Sequence, residues 1–236
     1  MEKILSVIAI VGMLVGGAAT AFASEAVGVY AYSDWAQDSI ETAERIKLIS
    51  GEYEFTENIT REKFCELIYN YCNIFADEEL TAEGENNFTD TDNAHIVCLN
   101  EFGIIAGKSD MEFAPNDLLT REEAATIIHR LIKKVSPELE IPEFYYEFND
   151  DEYISDWARE SVRALCCIGI MQGVGNGNFA PSDNYTTEQS IATLVRVYEF
   201  ADMSGESASI GIIGGADGPT VIIVGDDTTV FSKEYE

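Results

Sequence analysis

Two arginines stand in one context, Thr60-Arg61-Glu62 and Thr120-Arg121-Glu122. The chain's two tryptophans stand in another, Asp34-Trp35-Ala36 and Asp156-Trp157-Ala158. A guanidinium presents a planar fork of donors that matches a carboxylate, and an indole presents a flat apolar face. The aspartates of Phe88-Thr89-Asp90 and Phe148-Asn149-Asp150 can accept hydroxyl donors. This is the chemistry of holding a ligand rather than transforming one. No Ser-His-Asp, Cys-His or paired-carboxylate constellation stands apart from these recurring contexts. His95 and His129 lie away from any cysteine pair, so no metal-ligand spacing is present. The string Gly173-Val174-Gly175-Asn176-Gly177 follows a predicted helix rather than a strand, which makes it an inter-helix turn and not a phosphate loop.

The elements that must position these residues are themselves repeated. Gly103-Ile104-Ile105-Ala106-Gly107 returns 66 residues later as Gly169-Ile170-Met171-Gln172-Gly173, and Phe113-Ala114-Pro115-Asn116-Asp117 returns as Phe179-Ala180-Pro181-Ser182-Asp183. A looser first copy holds Leu48-Ile49-Ser50-Gly51, Phe55-Thr56-Glu57-Asn58 and Thr60-Arg61-Glu62, with a loop four residues shorter. Each unit is too small to bury its apolar face alone, so the copies must pack together. The second helix of each copy carries a stripe at helical spacing: Phe64, Leu67, Ile68, Tyr71 and Cys72; then Ala124, Ile127, Ile128, Leu131 and Ile132. The third stripe is weaker and shifts toward Ile191 and Val195. Thr120 with Glu123, and Thr186 with Gln189, have the spacing of a capping box. The first helix is expected from about Trp35 to Ile49, with Ile40 and Ala43 facing inward, and Ile96, Leu99, Val162 and Leu165 are its later counterparts. Each first helix is expected to end in a left-handed residue near Gly51, Gly107 or Gly173. Linkers are expected at Asp77 to Asn87 and at Ser136 to Glu147.

Composition bounds the rest. Met1-Glu2-Lys3, an apolar run from Ile4 to Ala19, and Ala21-Phe22-Ala23 read as a secretory signal over 1–23 cut before Ser24. The run is shorter than the roughly 20 apolar residues of a spanning helix. About 213 residues remain, enough for one repeat domain. A net charge of −29 argues against nucleic acid, whose phosphates demand clustered Lys and Arg. Most carboxylates form a solvated shell, so an anionic ligand must be held locally by the few arginines. The five cysteines (Cys65, Cys72, Cys98, Cys166, Cys167) cannot all pair within one molecule. Cys65 and Cys72 stand about 10 Å apart along a helix, beyond the span of a disulfide. All five read as small buried apolar groups.

The ordered motifs, an aromatic-x-Asp opening, Trp-Ala, Gly-Ile-x-x-Gly, Phe-x-Pro and Thr-Arg-Glu, resemble the S-layer homology repeat, a cell-wall-anchoring module of bacterial surface proteins. The resemblance covers residues 33 to about 200. It implies an all-α fold: three helix-loop-helix repeats, at 33–76, 88–134 and 148–200, in a pseudo-threefold bundle with grooves between neighbours. It implies a ligand, an anionic secondary cell wall polysaccharide often carrying pyruvate ketals. The ligand-binding positions carried over are Trp35, Gly51, Arg61, Asp90, Gly107, Arg121, Asp150, Trp157 and Gly173. Against this stand a core or groove-wall role for each tryptophan and a surface ion pair for each arginine, although a cation at a helix start opposes the helix dipole. On the resemblance, Arg61→Ala and Arg121→Ala are expected to weaken wall binding without unfolding the protein. The third copy departs with Thr187 in place of arginine. The second has Thr91 near the tryptophan position and a two-residue shortening, and the first lacks the aromatic-x-Asp opening.

After Ala201 the composition shifts to a linker and tail, 201–236. Two β-branched runs, Ile210 to Ile213 and Val221 to Val224, flank a Gly/Asp/Pro turn, which reads as a short β-hairpin or a flexible tail. Gly214-Gly215-Ala216-Asp217-Gly218-Pro219-Thr220 resembles a segment of the β subunit of sodium-pumping decarboxylases, over about 15 residues and without that family's membrane spans. Asp217 receives no site assignment. The leading function is a non-catalytic, secreted cell-surface protein with no cofactor, bound to secondary cell wall polysaccharide and peptidoglycan. No membrane span is expected after signal cleavage, and a protein partner is open to the tail. The alternative is a structural S-layer or scaffold component acting through contacts of the repeats and tail. An enzyme anchored by the repeats is disfavoured, because about 35 residues outside them are too few for a catalytic domain.

Overall fold

A computed structural model describes residues 31–76, 79–137, 139, 141, 147–205, 211–213 and 221–223. The expected signal 1–23, parts of both linkers and the turn 214–220 with Asp217 lie outside the described residues. Among the described residues six α-helices follow one another: α1 (Gln37–Arg45), α2 (Arg61–Ile74), α3 (Ala94–Glu101), α4 (Arg121–Val135), α5 (Asp156–Cys167) and α6 (Thr187–Gly205). One-turn 3-10 segments at Asp34–Ala36 and Asp151–Tyr153 precede α1 and α5. The fold is all-α, and the apolar stripes are its core: Phe64, Leu67, Ile68, Tyr71, Ile128, Leu131, Leu194 and Val197 are buried, as are Ile40, Ala43, Ile96, Leu99, Val162 and Leu165 from the first helices.

A closed ring of backbone hydrogen bonds sets the pseudo-threefold arrangement. Immediately before α2, α4 and α6 the chain is extended, and the three segments meet. Leu119 N donates to Ile59 O (3.0 Å), Tyr185 N to Leu119 O (2.8 Å), and Ile59 N to Tyr185 O (2.8 Å). The helix starts then extend the same cycle. Arg61 N donates to Asp117 O, Arg121 N to Asp183 O and Thr187 N to Glu57 O, each at 2.9 Å. Free N–H groups at a helix start need acceptors, and here the loop of the next copy supplies them. The helix-start donors join the copies together.

The capping boxes form as their spacing requires. Thr120 accepts from Glu123 N while Glu123 accepts from Thr120 N. Thr186 and Gln189 make the same reciprocal pair at 3.3 and 3.1 Å.

The first helices end one turn earlier than expected, and not at Gly51, Gly107 or Gly173. The left-handed residues are Lys47 (φ 61°), Gly103 (φ 69°) and Gly169 (φ 73°). At each, paired bonds close the helix: Gly103 N to Asn100 O with Ile104 N to Leu99 O, and Lys47 N to Glu44 O with Leu48 N to Ala43 O. The first copy also aligns differently from its sequence. Glu62 N donates to Pro115 O, Glu122 N to Pro181 O and Glu188 N to Phe55 O. Phe55 therefore stands where Pro115 and Pro181 stand, two residues beyond Phe113 and Phe179.

In the tail, β1 (Gly211–Ile213) pairs antiparallel with β2 (Val221–Ile223), Ile212 opposite Ile222.

Candidate functional site

Arg61 and Arg121 are buried, at 5% and 6% relative exposure. Each reaches from the start of its helix into the loop of the next copy. Arg61 donates through Nε to Phe113 O (3.0 Å) and through Nη2 to Ala106 O (3.0 Å). Arg121 repeats this with Phe179 O (2.9 Å) and Gln172 O (2.8 Å). Each guanidinium also lies over a phenyl ring, Arg61 at 4.6 Å from Phe113 and Arg121 at 4.8 Å from Phe179. These are not surface ion pairs. This geometry leads to the opposite expectation for alanine at either position, a cost in stability, because the carbonyls would lose their donors.

The neighbouring glutamates do parallel work. Glu122 accepts from Ser155 N and Ser155 Oγ (both 2.9 Å), and Glu188 accepts from Ser33 N (2.9 Å) and Ser33 Oγ (2.8 Å). Each fixes the start of the next copy's first helix, where the tryptophan sits. The glutamate of Thr-Arg-Glu was not singled out as a positioning residue, although its recurrence beside the arginine was a usable signal.

Asp90 and Asp150 turn inward on their own copies. The two oxygens of Asp90 accept from Phe113 N (2.9 Å) and Ala114 N (2.7 Å), and those of Asp150 from Phe179 N (2.8 Å) and Ala180 N (2.7 Å). They hold the loop through Ala114 and Ala180, both of which have positive φ. The Phe113 amide is the main reason the Asp90 carboxyl sits below its ordinary range, with Ala114 N and the Arg61 charge acting in the same direction and desolvation opposing. These aspartates brace the loop that receives the arginine.

The glycines divide. A Cβ on Gly107 would meet Glu112 O at 2.5 Å and Phe88 Cε1 at 2.6 Å, and one on Gly173 would meet Asn178 O at 2.6 Å. Gly51 has open space around it, and its φ of +96° is its constraint. Gly107 and Gly173 are close-approach positions, and Gly51 is not their counterpart.

Trp35, Arg121 and Gly173 come together from three different copies. They line one cleft of ≈ 300 Å³ with Gln172, Val174, Gln189 and Arg196 among its walls. Trp35 remains 53% exposed, an indole presented to solvent rather than packed in the core. Arg121 Nε and Nη2 are engaged by carbonyls, and among the described residues Nη1 has no protein acceptor. Arg196 adds a second cation, steadied by Ile170 O at 3.3 Å. Among the described residues no carboxylate lines the cleft. Gln189, Thr193 and Arg196 follow one another at helical spacing on α6, a signal that sequence reading passed over.

The same contacts, one repeat back, place Trp157 (57% exposed), Arg61 and Gly107 at the equivalent positions of a second junction between repeats. There Glu123 stands at the place of Gln189, and its Oε1 lies 3.7 Å from Arg61 Nη1. The third position has Thr187 for the arginine and no tryptophan. The missing tryptophan has a simple origin: Gly103 comes thirteen positions after Asp90 but Gly169 nineteen after Asp150, a shortening of six residues rather than the two expected, and α3 starts late at an Asn93 cap. The missing arginine and the missing tryptophan thus fall at one junction, and the other two junctions keep both residues.

None of the five cysteines forms a disulfide. Cys65, Cys72, Cys98 and Cys167 are buried and Cys166 is half-buried. Burial pushes the Cys65, Cys72 and Cys166 thiols up to about 12. These three stay protonated near neutral pH and are poor nucleophiles there.

Residues 99–125 and 147–186 match the family model described as "S-layer homology domain". The chain is 33% identical over 146 residues to the "Endoglucanase" of Bacillus sp. (strain KSM-635), covering 59% of this chain and 15% of that one. It is 31% identical to the "Surface-layer 125 kDa protein" of Lysinibacillus sphaericus, covering 57% of this chain and 12% of that protein. It is 24% identical to the "Cellulosome-anchoring protein" of Acetivibrio thermocellus, covering 66% and 35%. The chain thus spans only a small part of the first curated relatives it matches. Among the described residues no helix is long and apolar enough to cross a membrane.

Proposed function

We propose, from the premise that this chain carries the S-layer homology domain, that it is a non-catalytic cell-surface protein that binds the cell wall. Its ligand is an anionic secondary wall polysaccharide, held in clefts between neighbouring repeats, with pyruvate ketals as the anionic groups. The repeats are the units 33–76, 88–134 and 148–200. The observation that carries this reading is the Trp35 cleft. In a chain of net charge −29 it is lined by Arg121 and Arg196 and, among the described residues, by no carboxylate. Trp35 offers a sugar ring an apolar face, and the free Nη1 of Arg121 faces a carboxylate beside it. Asp90 and Asp150 brace the loops rather than touch sugar in this reading, and Gly107 and Gly173 admit the backbone close to the ligand. The relatives named for a surface layer and for anchoring a cellulosome support the location.

The test is co-sedimentation of the purified chain with cell walls before and after mild acid removes the secondary polysaccharide. Pelleting that disappears on stripping supports the reading. Pelleting with both preparations, or with neither, refutes it and favours a scaffold role through protein contacts.

A further inference from the structure

Gln189 and Glu123 occupy one position in two repeats, 66 residues apart, and both cap their helix. Gln189 Oε1 accepts from Thr186 N at 3.1 Å, and Glu123 Oε2 accepts from Thr120 N at 3.1 Å. The caps are interchangeable, but the charge is not. The second oxygen of Glu123 faces Arg61 Nη1 at 3.7 Å, with the glutamate side chain 20% exposed. In the Trp35 cleft a neutral amide stands at that point, and Arg121 has no such partner among the described residues. One other charge differs, because Lys108 stands at the offset of Val174, but its Nζ is already held by Asp117 Oδ2 at 2.6 Å. Asp34 precedes Trp35 as Asp156 precedes Trp157, and Arg130 stands at the offset of Arg196.

We infer that the two tryptophan-bearing clefts are unequal. The Trp35 cleft takes the anionic glycan, and Glu123 closes the Trp157 cleft to anions by setting the chain's own carboxylate against Arg61. The residue at the third helical position thus decides which cleft accepts a carboxylate-bearing sugar. One chain binds one anionic sugar residue, although two clefts carry the tryptophan, arginine and glycine. A ligand carboxylate entering the second cleft would meet a like charge and find Arg61 already partnered, a juxtaposition that disfavours binding strongly. This inference rests on the reading of the clefts as the wall-binding site.

The experiment is isothermal titration of the full chain with the methyl glycoside of a hexosamine carrying a 4,6-linked pyruvate ketal, and with its neutral parent sugar. The wild-type chain is expected to bind the ketal at about one site per chain, Glu123→Gln at about two, and Gln189→Glu roughly tenfold or more weakly, the scale of an introduced like charge. The neutral sugar should respond to neither swap. Each substitution installs the residue that already caps the equivalent helix, so both chains should fold, and thermal melts check this. Two sites in the wild-type chain, or unchanged affinity in Gln189→Glu, would overturn the inference while leaving the wall-binding reading intact. No binding of the ketal by any of the three chains would overturn both.

Discussion

Arg121→Ala is the perturbation that most directly tests the architecture. The side chain is 6% exposed and donates to two carbonyls of the following repeat, Phe179 O and Gln172 O, while stacking over Phe179. A hydrogen bond from a charged donor contributes about 1.5–3 kcal/mol net, and truncation leaves both acceptors without a donor in a buried seam. The ring contact adds about 1 kcal/mol. Allowing for partial relaxation and water entry, the loss should be roughly 4 kcal/mol, a large share of the ~5–15 kcal/mol that holds a typical domain. For a domain of this size that corresponds to a fall in Tm of roughly 8–16 °C. Urea unfolding followed by far-UV circular dichroism, together with calorimetry, reads both quantities. Arg121→Lys should lose about half as much, since an ammonium reaches one carbonyl and lacks the planar fork. A loss below about 1 kcal/mol for Arg121→Ala would refute the claim that the arginine joins repeats, and would return it to the role of a surface ligand contact. If the loss is as large as expected, poor wall binding by this variant reports on the fold, and Gln189→Glu becomes the cleaner probe of the cleft.

Lys47 holds a left-handed conformation that Gly103 and Gly169 hold at the equivalent helix ends, so Lys47→Gly should stabilise the chain by about 1 kcal/mol, read by urea unfolding. Gly107→Ala should destabilise more than Gly51→Ala, because its Cβ meets backbone at 2.5 Å whereas the Gly51 site costs only its positive φ; parallel thermal melts decide the order. The Asp90 carboxyl sits below its unfolded value, so its contribution to stability is present above the unfolded pKa and is lost as pH falls through the lower folded one. Asp90→Ala should therefore lower Tm near neutrality, and the gap from wild type should close as the pH drops below about 4, the unfolded aspartate range. Thiol titration at pH 8 should find Cys65 and Cys72 unreactive in the native chain and reactive in urea, given thiols held up to about 12.

Much of this protein was legible from near-neighbour pattern. Helical stripes such as Phe64, Leu67, Ile68 and Tyr71, and the Thr120–Glu123 cap, depend on residues within two turns of one another. Local spacing was enough to place them on the buried face or at the helix start. The repeat likewise announced three units that must pack together. Where the reading slipped, the deciding contacts joined residues distant along the chain. The first copy's alignment moved two residues because Phe55 O receives Glu188 N from the third repeat. The helix ends moved to Lys47, Gly103 and Gly169, since the later glycines answer to crowding by Phe88, Phe148 and neighbouring loops rather than to helix termination. Asp90 and Asp150, read as ligand groups, face the amides of loops more than twenty residues onward. The cleft itself draws Trp35, Arg121 and Gly173 from three repeats, with Gln189 and Arg196 beside them. The helices, their buried faces and the number of units follow from periodicity and capping along one segment, so the residues alone were enough for them. Which arginine meets which tryptophan, and which cleft is left without a carboxylate, depends on how the repeats pack. That pairing arises where the helix-start donors of one repeat close on the carbonyls of the next, a contact no single segment contains.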